Sequence, residues 1–246
     1  MFKLESIGIV DSPDEISNYD QEMIKKFEKG IEIKDGQVNV ELLWKPNVND
    51  VPSNHDVALK ICNIVSNKLD RKGELEAYNQ IFKDQIQEDM VEEFECDPSE
   101  FGKYNWLPHH PVYKQDDNST FKTRPVFNAS LKTDRNKPSL NESAYQGINN
   151  MQDMLALIML FRSNKYSLLG DLRKAFLQIK LKLLEDRNRF CFFLKEGNVL
   201  KCYRYKTLLF GFCTSPFILN HVLKYIADLG NQDECASMIK KKLWTI

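Results

Sequence analysis

The chain has 246 residues, 42% of them hydrophobic and 28% charged, with a net charge of −1. That composition supports a sizeable core and excludes wholesale disorder. It also excludes recruitment of nucleic acid by bulk charge, so any polyanion would need a local patch. The six cysteines, Cys62, Cys96, Cys191, Cys202, Cys213 and Cys235, show no C-x-x-C spacing and fit reduced thiols in an intracellular compartment. The start, MFKLESIGIVDSPDE, lacks the order of a secretory signal. The longest apolar stretch, Met154 to Phe161, is far too short to span a bilayer, so no membrane partner is expected.

Glu15 to Lys29 reads as a helix carrying Ile16, Tyr19, Met23 and Phe27, with Gly30 as its stop. Ile31 to Leu43 alternates around Asp35-Gly36, a hairpin signal. Ser53 or Asn54 can cap a helix through Ala58, Ile61, Ile64, Val65 and Leu69, ended by Gly73. A second helix follows with Leu75, Tyr78, Ile81, Phe82 and Ile86 on one face, making a helical hairpin. The acidic run Asp84, Glu88, Asp89, Glu92, Glu93 and Glu95 reads as a solvated face.

From Trp106 the character changes. LPHHPVYK is extended, QDDNST is a turn cluster, and FKTRPVFNAS resumes as strand. Lys103, Lys114, Lys122, Arg124, Lys132, Arg135 and Lys137 outnumber Asp116, Asp117 and Asp134, a basic surplus that the net charge hides. Such a hairpin either grips phosphates or is simply solvated, and charge alone leaves both readings open.

Asn149 to Arg162 reads as an apolar helix capped by Asn149 or Asn150, and Tyr166 to Gly170 as a strand. Asp171 follows directly, with Leu172, Phe176 and Ile179 behind it at helical or near-helical spacing. A carboxylate at that junction is either a helix cap or a group that holds a metal ion or substrate at a sheet edge. Arg189 to Leu194 and Val199 to Lys206 form an aromatic hairpin around Glu196-Gly197-Asn198. Thr214 or Ser215 then caps a helix with Pro216 in its first turn and Phe217, Leu219, Val222, Leu223 and Ile226 on its buried side.

The blocks WLPHHPVYK, TRPVFNAS, SLNE (Ser139 to Glu142), GDLRKAFLQIKL and LLFGFCTSPFILN, in that order, resemble the reverse transcriptases of long-terminal-repeat retroelements. The wording is nearest to Pao/BEL-type retrotransposon polyproteins, and the FKLESIGI start with the helical segment is similar to the region ahead of the polymerase in that family. The resemblance implies an α+β right-hand polymerase fold of fingers and palm, with an antiparallel palm sheet. Residues 1–100 would be a linker and helical region and 101–246 a partial fingers–palm domain, truncated before the second palm motif.

It further implies nucleotidyl transfer with two Mg²⁺ ions about 3.5–4 Å apart. Asp171 would be the first palm carboxylate, bridging the ions, and Leu172 would offer a backbone carbonyl. Backbone N–H groups near Lys174 and Ala175 would face the triphosphate, which Lys114 and Arg124 would neutralise. Phe176 would pack under the sugar and select deoxynucleotides, although its spacing alone reads as core. Phe210 and Gly211 would line the nucleotide pocket and template, with a buried palm role for Phe210 equally open.

The family's Tyr-x-Asp-Asp turn is absent from the sequence, and its place by spacing lies just past Met238 to Trp244. Asp186, Asp228, Asp233 and Glu234 are spare carboxylates in no matching block, and Asn128 stands where the family more often has Asp. The expectation is a truncated or decayed copy, inactive alone, in a cytoplasmic setting that includes retroelement particles. Its partners would be an RNA/DNA template–primer, a deoxynucleoside triphosphate, and the protease, ribonuclease H and integrase segments of the polyprotein. The alternative is a non-catalytic remnant of that fold that binds nucleic acid or protein. An unrelated α/β domain is the third reading.

Overall fold

The computed structural model describes residues 16–115, 121–148, 154–163, 165–166 and 170–229. Helix α1 (Asn18–Gly30) starts later than expected because Ser17 takes the cap, its hydroxyl oxygen accepting the Asp20 N–H at 3.1 Å. It buries Met23 and Phe27. Strands β1 (Glu32–Lys34) and β2 (Gln37–Val40) close through Asp35 and Gly36, both at positive φ (52° and 73°), the two-residue turn whose twist matches a hairpin.

Helices α2 (His55–Arg71) and α3 (Leu75–Gln87) form the expected pair, reversed at Gly73. Asn54 is the N-cap residue of α2 but its side chain makes no cap bond. Instead its amide clamps the Trp106 backbone, donating to the carbonyl at 2.7 Å and accepting the N–H at 2.8 Å.

Strand β3 (Val91–Glu93), the β4 (His109–Gln115) and β5 (Phe121–Phe127) hairpin, and the short helix α4 (Leu140–Ser143) follow. Ser139 and Glu142 form a reciprocal capping box at α4. Helix α5 spans Met154–Ser163, and the expected caps Asn149 and Asn150 lie outside the described residues. Most of the expected strand before Asp171, residues 167–169, lies outside them too, as do 116–120 of the turn cluster; Tyr166 is an exposed bend residue.

Behind Asp171 the structure departs from helical spacing. A turn at Arg173-Lys174 leads into a 3-10 turn over Ala175–Gln178 and then strand β6 (Ile179–Leu181). The competing period of two prevails: Leu177, Ile179 and Leu181 are all buried, and β6 docks in parallel on β2, Val38 opposite Ile179 and Val40 opposite Leu181. Helix α6 (Leu184–Asn188) leads to β7 (Cys191–Glu196), a Gly197-Asn198 turn and β8 (Val199–Tyr205). Helix α7 (Ser215–Leu229) follows, burying Phe217, Ile218, His221, Val222 and Ala227. Ile226, expected inside, is 44% exposed, because the buried stripe runs through Ile218 and His221 instead.

The architecture is therefore α+β, with small sheets ordered β1-β2-β6, β3-β8-β7 and β4-β5; within these sheets every pairing except β2–β6 is antiparallel. The main core draws on both ends of the chain, from Met23 and Phe27 to Phe217 and Val222. A second cluster joins Ala58, Cys62, Trp106, Cys191 and Phe193, where the Trp106 and Phe193 rings stack with centroids 4.1 Å apart. Among the described residues, no helix is long and apolar enough to cross a membrane.

Candidate functional site

The register of the β4–β5 hairpin sorts its side chains. Residues directly opposite one another share a face, so His110/Val126 and Val112/Arg124 lie on one side, and Lys114 falls on the same side by alternation. Lys114 and Arg124 are diagonal neighbours there, about 7–8 Å apart by strand geometry. Both are exposed. The other face meets the protein through His109 and Phe127, which are buried at the hairpin's root.

His109 is a structural histidine. Its Nε2 lies 2.9 Å from the Phe193 carbonyl, which can only accept, so Nε2 carries the proton and Nδ1 accepts the Tyr78 hydroxyl at 2.8 Å. Burial pushes its pKa down to about 4 and keeps the ring neutral. On the same face a cavity of about 250 Å³ is lined by Leu69, Glu74, Ala77, Tyr78, Tyr113 and Thr123. It therefore sits behind the basic face, with the Tyr113 hydroxyl donating to Glu74.

Three sequence blocks meet at the end of β5. Gly211 has φ +97°, and a Cβ there would lie 2.3 Å from the Phe127 carbonyl oxygen, so only glycine fits. Asn141 locks the contact. Its amide nitrogen donates to Ser130 Oγ at 2.8 Å and to the Gly211 carbonyl at 3.1 Å, while its Oδ1 accepts the Cys213 N–H at 3.0 Å. Its own N–H donates to the Ala129 carbonyl at 3.0 Å. Sequence reasoning quoted the SLNE block but missed this role, because a junction among segments 11 to 72 residues apart leaves no local signal.

Phe176 and Phe210 come together edge to face, centroids 4.7 Å apart at 67°. Phe176 is half-buried against the core, and Phe210 is 53% exposed, which overturns the buried palm role for Phe210. Asp171 and Leu172 are exposed on the irregular approach to this pair. Asp171 caps no helix, since the next helical turn has Lys174 at its N-cap. Lys174 itself is left-handed (φ 55°, ψ 37°), and its ammonium group pairs with Glu88 at 2.5 Å; Ala175 follows, half-buried.

The acidic run is solvated as expected, with Asp84, Glu88, Asp89, Glu93 and Glu95 all exposed, and four of its carboxylates also take basic partners. Because β3 lies antiparallel on β8, its carboxylates meet a basic strand: Glu92 takes Arg204 Nε at 2.6 Å and Glu93 takes Lys201 at 3.1 Å. Asp89 accepts both Lys180 and Lys206. Asp186, read as a spare carboxylate, is buried and committed: its two oxygens accept the Leu42 N–H at 2.9 Å and Trp44 Nε1 at 2.7 Å. Burial pushes its pKa up against those two hydrogen bonds.

Asp233 and Glu234 lie outside the described residues, and among the described residues no group of three or more His, Cys, Asp or Glu side chains converges as a metal site. The described donor set around Asp171 fits one carboxylate ligand and does not fit a complete two-magnesium centre. No family model and no curated protein matches the chain.

Proposed function

We propose that this chain is the fingers and front part of the palm of an RNA-directed DNA polymerase of the Pao/BEL retrotransposon type. On this reading it binds an RNA/DNA template–primer and an incoming deoxynucleoside triphosphate. The observation that carries it is the convergence of separate sequence blocks on one locus: Gly211 against the end of the basic hairpin, and Phe210 against Phe176 beside the Asp171 turn. The polymerase reading accounts for the meeting of those blocks with a common task.

Each residue then has a task. Lys114 and Arg124 neutralise phosphate from one exposed strand face, a point charge and a planar fork respectively. Phe210 offers an exposed ring for stacking, and Phe176 supports it from the core side. Asp171 is the carboxylate directed at the reacting phosphates. Because the described carboxylates fall short of two-ion chemistry, the chain's own work is to bind and orient, and the non-catalytic remnant is the second reading.

Binding of a fluorescent RNA–DNA template–primer across a salt series tests the first reading. Affinity should fall linearly with log salt, and Lys114→Ala and Arg124→Ala should each reduce the slope by about 1. Salt-independent binding, or variants indistinguishable from the parent, would sink it. Primer extension by the purified chain with Mg²⁺ and dTTP separates the two readings: the expected result is no product, and incorporation would overturn the binding-only role.

A further inference from the structure

The turn after α3 carries Glu88 and Asp89, and lysines from three other segments reach it. Lys174 meets Glu88 at 2.5 Å, Lys180 meets one oxygen of Asp89 at 2.5 Å, and Lys206 meets the other. The three lysine side chains are only 29%, 18% and 19% exposed, so their charges need counter-ions nearby. Three ammonium groups against two carboxylates leave one positive charge in surplus.

The two carboxylates are not equivalent. Asp89 uses both oxygens to tie β6 to the end of β8, and these bonds hold its carboxyl below the usual range. Glu88 faces Lys174, which belongs to no strand. Lys174 sits in the left-handed region, sparsely used by residues with a Cβ, directly ahead of the 3-10 turn that carries Phe176. The Glu88–Lys174 pair thus clamps the turn between Asp171 and the Phe176–Phe210 contact. The carboxylate of this pair, on Glu88, is the more exposed member at 39%, so solvent screens it and a multiply charged competitor can replace it on the lysine.

We propose that Glu88 is a displaceable internal counter-ion, and that an oligophosphate chain, such as that of a nucleoside triphosphate, takes its place on Lys174. The inference rests on the polymerase reading above. Glu88 occupies the lysine when no ligand is bound, and the phosphate chain exchanges one anion for another of higher charge.

Calorimetric titration of the full chain with inorganic tripolyphosphate and, separately, with dTTP tests it. Glu88→Gln, and Glu88→Ala as a second variant, should tighten binding by about three- to tenfold. Lys174→Asn removes the charge while tolerating the left-handed backbone. In the Glu88→Gln background it should abolish the gain. A gain with dTTP assigns the site to a nucleotide, and a gain confined to tripolyphosphate assigns it to free polyphosphate; both support the exchange. Unchanged or weaker binding in both Glu88 variants, a gain that survives Lys174→Asn, or no binding by any variant overturns it. The polymerase reading is decided apart from this, by template–primer binding through Lys114 and Arg124.

Discussion

The β4–β5 and β7–β8 hairpins differ in how they are buried. Strand β7 is buried on both faces: Phe192 and Leu194 enter the main core, while Cys191 and Phe193 enter the second cluster beneath α2. The β4–β5 hairpin is buried at its root, through His109 and Phe127, and along its length Val112 and Tyr113 are 42% and 43% exposed. A strand covered on both faces has little surface left for a ligand. A hairpin anchored at one end can carry exposed charge outward, because Lys114 and Arg124 never have to be desolvated for the protein to fold. The two meet at the root, where His109 donates to the Phe193 carbonyl and the Phe127 ring packs on Phe192 and Tyr205.

Mutations can break that contrast. Phe192→Ala should cost about 4 kcal/mol in urea unfolding, whereas Val112→Ala should stay within about 0.5 kcal/mol. Equal costs would mean that β4–β5 belongs to the core after all.

That meeting at the root has a pH signature. His109 has a native pKa of about 4 against an ordinary 6.5, so the unfolded chain binds its proton first. Stability should therefore fall as pH drops from about 6.5 towards 4, by about 3 kcal/mol from this group. His221 is pushed the same way, also to about 4. Guanidinium midpoints of the parent and of His109→Gln across that window isolate the His109 share; parallel curves would remove histidine burial from that coupling.

Smaller effects sharpen the picture at the locus itself. Asn141→Ala leaves the Gly211 carbonyl and the Cys213 N–H without their partner and should lower stability by about 2 kcal/mol, read as a shift in melting temperature. Smallest of all, Lys114→Ala and Arg124→Ala should move unfolding midpoints by less than about 0.5 kcal/mol. A large shift from either would make the basic face a structural element.

The acidic run shows why part of the candidate site was not legible. Charge pattern alone cannot distinguish a carboxylate in water from one opposite a basic strand, and Glu88, Asp89, Glu92 and Glu93 all found partners 86 to 117 residues away. Asn54 follows the same rule. It stands where a cap belongs, yet it pairs with the Trp106 backbone. The sequence marks Phe176 and Phe210 separately, but their contact belongs to the tertiary structure.

What the sequence determined by itself is what nearest neighbours along the chain control. The Asp35-Gly36 turn, the Gly73 break between α2 and α3, the aromatic hairpin around Gly197-Asn198, the basic hairpin and the start of α7 all follow from backbone freedom and local hydrophobic period. Only the tertiary structure decided that β6 is a strand laid parallel to β2, that Asn141 locks three segments, and that Glu88, Asp89, Glu92 and Glu93 are paired. Those outcomes depend on hydrogen bonds and charges between residues distant in sequence, whose energies exist only once the core has brought them within reach.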